Sequence, residues 1–104
     1  MDQQITRIAR LEIDPDRLDT YLVYLREEIE ASIRLEPGVI MLHATARKDA
    51  PHRIELLEVY ASQAAYDTHI ATLHFLKYKN GTADMVRSLE LIEVTPILLA
   101  AKPT

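Results

Sequence analysis

The chain has 104 residues, 48% hydrophobic and 27% charged, with 12 Lys and Arg against 16 Asp and Glu for a net charge of −4. This is the alphabet of one globular domain over residues 1–104, its core at about 4–100, and its mild acidity without a basic stripe argues against a nucleic-acid partner. Cysteine is absent and glycine occurs only as Gly38 and Gly81, which excludes disulfides, thiol nucleophiles, Cys-ligated metals and glycine-rich cofactor loops.

Residues 4–13 are β-branched and aliphatic with charges interspersed, the pattern of a strand. Asp14-Pro15 then opens a helix, Asp as N-cap and Pro at the first helical position. Its predicted apolar stripe is Leu18, Tyr21, Leu22, Leu25, Ile29 and Ile33, with Arg17, Glu27, Glu28, Glu30 and Arg34 assigned to solvent. Glu36-Pro37-Gly38 ends it, since Pro37 disfavours helical geometry at Glu36 and Gly38 supplies the turn.

Two strands, Val39–Arg47 and Arg53–Tyr60, follow as a hairpin around the polar link 48–52. Ser62 caps a second helix with the stripe Ala65, Tyr66, His69, Ile70 and Leu73, continued by Phe75, Tyr78, Thr82 and Val86 to about residue 87. A bend is expected near His74, and Asn80-Gly81 argues for a break. Residues 90–100 read as a last strand, with Pro96 at an edge or bulge.

The order β-α-β-β-α-β predicts an α+β, ferredoxin-like antiparallel sheet with both helices on one face. Val39 and Met41 should point opposite to Ile40 and Leu42, and the other strands likewise carry apolar residues on both faces. Helices cover only one face, so a homodimer joined through the sheet faces is expected. No apolar run approaches the roughly 20 residues of a membrane helix and no secretory signal pattern opens the chain, so a cytoplasmic protein without a membrane partner is expected.

Few residues carry chemistry. Glu58 interrupts the apolar Leu56-Leu57-Glu58-Val59-Tyr60, and a carboxylate there is costly unless paired or protonated. It is either a bonded group at a sheet end or a pocket acid with a raised pKa. His69 stands on the apolar stripe, either as a satisfied core histidine or, brought toward Glu58, as a general base. His74 is five residues beyond it, outside helical i, i+3 or i+4 spacing, so no metal pair is expected. His43 is as suited to a partner chain or solvent as to a pocket. The aromatic residues Tyr60, Tyr66, Phe75 and Tyr78 fit core packing or a cavity lining.

Glu36-Pro37-Gly38, Leu56–Tyr60, Ala65-Tyr66-Asp67-Thr68-His69 and Thr72-Leu73-His74-Phe75, in this order and spacing, resemble the antibiotic biosynthesis monooxygenase family of dimeric α/β barrels. The resemblance implies a cofactor-independent monooxygenase that uses O2 on a small quinol, phenolic or polyketide-type aromatic substrate in an apolar pocket. It implies His69 as base and Glu58 as its orienting or proton-sharing partner. Leu42, Tyr60, Tyr66, His74, Phe75 and Tyr78 would contact substrate, with no metal or other cofactor. Tyr60 stands where the family commonly has Trp, and Leu42 where relatives often have Tyr. Haem-degrading relatives use Asn, Trp and His where this chain matches Ala9, His69 and Lys79, which implies a different chemistry. An isomerase or lyase of a small metabolite, as in autoinducer-2-processing relatives, and a non-catalytic dimeric binding module are the alternatives.

Overall fold

The computed structural model describes residues 3–103. Strand β1 (Ile5–Ile13) alternates, sending Ala9, Leu11 and Ile13 into the core. Asp14 then accepts the Asp16 N–H at 3.0 Å, and Pro15–Arg17 form a single 3-10 turn that leads into α1 (Leu18–Leu35). The buried face of α1 runs Tyr21, Leu25, Glu28 and Ser32, whereas Ile33 is 49% exposed. This corrects the stripe read from sequence and the assignment of Glu28 to solvent. The 4, 3, 4 spacing from Tyr21 follows the helical period more closely than the apolar residues do.

At Glu36-Pro37-Gly38 the helix stops, and no glycine has positive φ. Gly38 is required for closeness rather than for backbone conformation: a Cβ there would lie 2.6 Å from Ala65 Cβ. Strands β2 (Val39–Ala46) and β3 (Arg53–Tyr60) pair antiparallel, with a register shift between Val39 and Met41. That bulge puts both Val39 and Leu42 on the core side, where simple alternation predicted opposite faces.

The stretch predicted as one helix to about residue 87 is two helices, α2 (Gln63–His69) and α3 (Leu73–Thr82). Ser62 Oγ caps α2 by accepting the Ala65 N–H at 3.1 Å. The joint is made by one hydroxyl. Thr72 Oγ1 donates to the His69 carbonyl at 2.8 Å and accepts the Phe75 N–H at 3.2 Å, ending one helix and capping the next. Asn80-Gly81, read as a break, stays inside α3, because Gly81 lets the helix approach the Tyr24 ring where any Cβ would collide. Tyr21 and Tyr78 join α1 to α3 through their hydroxyls at 2.6 Å. The last strand, β4, is Val86–Val94 rather than 90–100. It ends before Pro96, which has no N–H to give a ladder.

The four strands form one antiparallel sheet in the order β2-β3-β1-β4, the ferredoxin-like α+β arrangement, and the sheet is open rather than closed. The helices lie on the face that carries Ala9, Leu11, Ile54, Leu56 and Tyr60. On the other face Ile8 sits opposite Leu57 and Ile92, a half-buried apolar row, with His43 exposed opposite Leu57 on β2. Among the described residues, no helix is long and apolar enough to cross a membrane.

Candidate functional site

Between sheet and helices lies a cavity of about 410 Å³. Among its polar lining groups are Glu28 on α1, Glu58 on β3 and His69 at the end of α2. Glu58 and Tyr60 are two apart on β3 and therefore share the core-facing side, which lets the Tyr60 hydroxyl donate to Glu58 Oε1 at 2.5 Å. Leu42, Tyr60, Tyr66, Phe75 and Tyr78 also line the cavity, and His74 does not. The His69 ring is centred 5.2 Å from Tyr60 and 5.1 Å from Phe75.

His69 is not paired with Glu58, as its place in the sequence suggested. Its Nδ1 lies 3.0 Å from Glu36 Oε2, and its Nε2 lies 3.3 Å from Glu28 Oε1. His74 Nε2 reaches the same Glu36 oxygen at 2.6 Å. The two histidines, too far apart for one helical face, meet because the chain turns at residues 70–72 between them. Among the described residues, these imidazoles and the carboxylate, with ligand atoms within 4.8 Å of one another, form a group that could hold a metal ion.

The three carboxyl groups differ in charge preference. Burial pushes Glu58 up from the usual carboxylate value, outweighing the Tyr60 hydrogen bond and the nearby His69 and Arg7. Glu28 is also raised by burial, against the opposing effect of the Ser32 hydroxyl that donates to it at 2.9 Å. At Glu36 burial acts in the same direction, but the hydrogen bonds from His69 and His74 outweigh it and the net shift is down. Glu36 is therefore ionised at neutral pH and accepts only, so His69 Nδ1 and His74 Nε2 must both carry protons. In a neutral His69 that leaves the Nε2 lone pair directed toward Glu28 on the cavity wall. Tyr78 is pushed up to about 12, chiefly by burial, and stays a neutral phenol.

From sequence, Glu36 reads as part of a turn and Glu28 as solvated. The signal available for Glu28 and Ser32 was their position three and seven residues beyond Leu25, on the buried side of α1. Arg7 was also missed. Its guanidinium lies 4.2 Å over the Tyr66 ring, pairs with Glu93 and lines the cavity.

Fold and site together define a small α+β domain that encloses an apolar cavity beside an imidazole–carboxylate cluster. The chain belongs to the antibiotic biosynthesis monooxygenase family, whose model matches residues 4–81. Among solved structures it is similar to a candidate antibiotic biosynthesis monooxygenase from Bacteroides thetaiotaomicron VPI-5482. That match has 53% identity and a TM-score of 0.93, covering 98% of this chain and 97% of that one. A candidate monooxygenase from Lactobacillus acidophilus NCFM matches at 26% identity and TM-score 0.88 over 91% of this chain, which spans only 45% of that protein. A candidate antibiotic biosynthesis monooxygenase from Nitrosomonas europaea, 22% identical, shares the fold at TM-score 0.84, with 93% of each chain covered. No curated protein matches the sequence.

Proposed function

We propose that the chain oxidises a small electron-rich aromatic molecule, a quinol, phenol or polyketide-type ring, with O2 and without a bound cofactor. The observation that carries this reading is His69 on the wall of an apolar cavity, with its Nδ1 held by Glu36 at 3.0 Å. Ionised Glu36 holds the Nδ1 proton, which leaves Nε2, beside Glu28 on the cavity wall, to take the proton of a substrate hydroxyl, the arrangement general-base catalysis needs. For a quinol the balance is complete. The anion passes electrons to O2, one oxygen atom enters the ring, and the other leaves as water while the ring is oxidised to the quinone level. The substrate supplies every electron, so the chain need only bind, deprotonate and exclude water.

Glu58, raised in pKa and capped by Tyr60, is the second proton-sharing group, on the opposite wall from α1. Leu42, Tyr60, Tyr66, Phe75 and Tyr78 supply the apolar and aromatic lining, while His74 acts through Glu36 rather than on substrate. We also propose that two copies pair through the open sheet face, where the row Ile8, Leu57 and Ile92 is apolar and half-buried in one chain.

The test is O2 uptake by metal-stripped protein over a panel of hydroquinones and anthrones. Uptake with one quinone-level product carrying one added oxygen atom per O2 is expected, and a flat electrode trace across the panel overturns the reading. His69→Ala should lower kcat by about 10²–10⁴-fold, the usual contribution of a general base. Wild-type turnover in that variant removes His69 from the role.

A further inference from the structure

Glu36, His69 and His74 form a cluster that proton transfer uses only in part. His74 does not reach the cavity, yet its Nε2 bonds the same oxygen of Glu36 that holds His69. We propose that these three residues bind one zinc-class divalent ion through Glu36 Oε2, His69 Nδ1 and His74 Nε2. Two imidazoles and one carboxylate are a donor set that such ions take, leaving a fourth position for water.

The geometry is close to what the ion needs. The oxygen stands 3.0 Å from one nitrogen and 2.6 Å from the other. A tetrahedral ion with bonds of about 2.0–2.1 Å needs ligand atoms about 3.3 Å apart. The His69 nitrogen must therefore part from the oxygen by about 0.3 Å and the His74 nitrogen by about 0.7 Å, and His74, on the first turn of α3, is the least enclosed of the three at 16% side-chain exposure against 3% and 9%. A second feature supports the assignment independently of the ligands themselves. His69 Nε2 faces the buried carboxyl of Glu28 at 3.3 Å, and Ser32 fixes that carboxyl at 2.9 Å. A ligating histidine ordinarily donates its other ring N–H to such a group, which sets the ring's orientation.

Binding moves each ring proton to the nitrogen that does not bind, so Nε2 of His69 would carry a proton and could accept none. If His69 is the base proposed above, the ion therefore opposes turnover. That consequence rests on the proposed function, whereas the binding itself does not.

The experiment is equilibrium dialysis of chelator-treated protein against Zn2+, with Co2+ as a spectroscopic probe. One ion per chain is expected, with the visible Co2+ absorption of a four- or five-coordinate site. Glu36→Gln and His74→Ala should each weaken binding by at least the ~10–100-fold typical of lost supporting groups around a metal. His43→Ala and His52→Ala, at histidines outside the cluster, should leave it unchanged. Should a cluster variant fail to fold, imidazole ¹⁵N resonances of the wild type decide: those of His69 and His74 should shift together on Zn2+ addition. No stoichiometric binding, binding that survives the cluster variants, or shifts confined to His43 and His52 overturns the proposal. Binding without inhibition would leave the ion site standing and remove His69 as the base.

Discussion

Glu36 and Glu58 are both carboxyl groups near His69, and their surroundings drive them apart. Glu36 receives two imidazole N–H bonds and is held ionised, whereas Glu58 faces an apolar cavity with one phenol and is pushed toward its neutral form. Paired groups with opposed shifts are the pattern of divided acid and base roles. The stability consequences have opposite signs. A carboxyl raised in the folded state makes the fold less stable as pH rises from its ordinary value of 4.5 through the folded one. Glu58→Gln should therefore raise the melting temperature relative to wild type at pH 8 and lose that advantage near pH 4, as thermal denaturation at the two values would show. Glu36, shifted down, stabilises the fold above 4.5, and that contribution fades as pH falls through its folded value. Glu36→Gln should show the reverse, less stable at pH 8 and converging with wild type in acid. As a positioning residue, Glu36 should affect kcat more than KM, because the Gln amide no longer dictates which nitrogen of His69 is protonated. Glu58 and His69 were legible as sequence anomalies, a charge and an imidazole on apolar stripes. Their partners were not, because residue spacing says nothing about which carboxylate a turn brings across from another helix.

Elements were legible wherever the local signal and the tertiary packing agree. β1, the Asp14-Pro15 start, the end of α1 at Glu36 and the β2–β3 hairpin all follow from propensity and punctuation. Departures arise where packing overrides pattern. Apolar residues run on from α2 into α3, so periodicity saw one helix, but the Thr72 hydroxyl closes one and starts the other. Gly81 looked like a helix breaker and is a helix contact. Gly38 is the sharper case, since its neighbour Ala65 packs α2 against the start of β2. Gly38→Ala should destabilise the fold by about 1–3 kcal/mol, the usual cost of overpacking. Adding Ala65→Gly should return much of that loss in urea denaturation, and strict additivity of the two changes would show that the contact is not the cause.

For the molecule as a whole, the ferredoxin-like antiparallel arrangement and the placing of the helices on one face were readable from the alternation of elements. The apolar residues left on the other face then acquire a meaning that one chain does not supply. Ile8 lies at the middle of that face, between Leu57 and Ile92. Ile8→Glu introduces a charge that a buried partner surface could not solvate. Light scattering at micromolar concentration should read a dimer for the wild type and a monomer for this variant. A monomeric wild type removes the face-to-face assembly, while a dimeric variant moves the contact elsewhere.

The inward face of α1 has one more implication. At the point where a helix ordinarily sets its best hydrophobic residue, this chain keeps Glu28 at 5% exposure and Ser32 at 0%. A buried carboxyl is a standing thermodynamic burden, and replacing buried polar groups with well-packed apolar ones is often neutral or stabilising. Selection for heat resistance alone should therefore recover substitutions such as Glu28→Leu and strip the cavity wall of a carboxyl in doing so. Robustness and a polar cavity wall compete for the same helical turn.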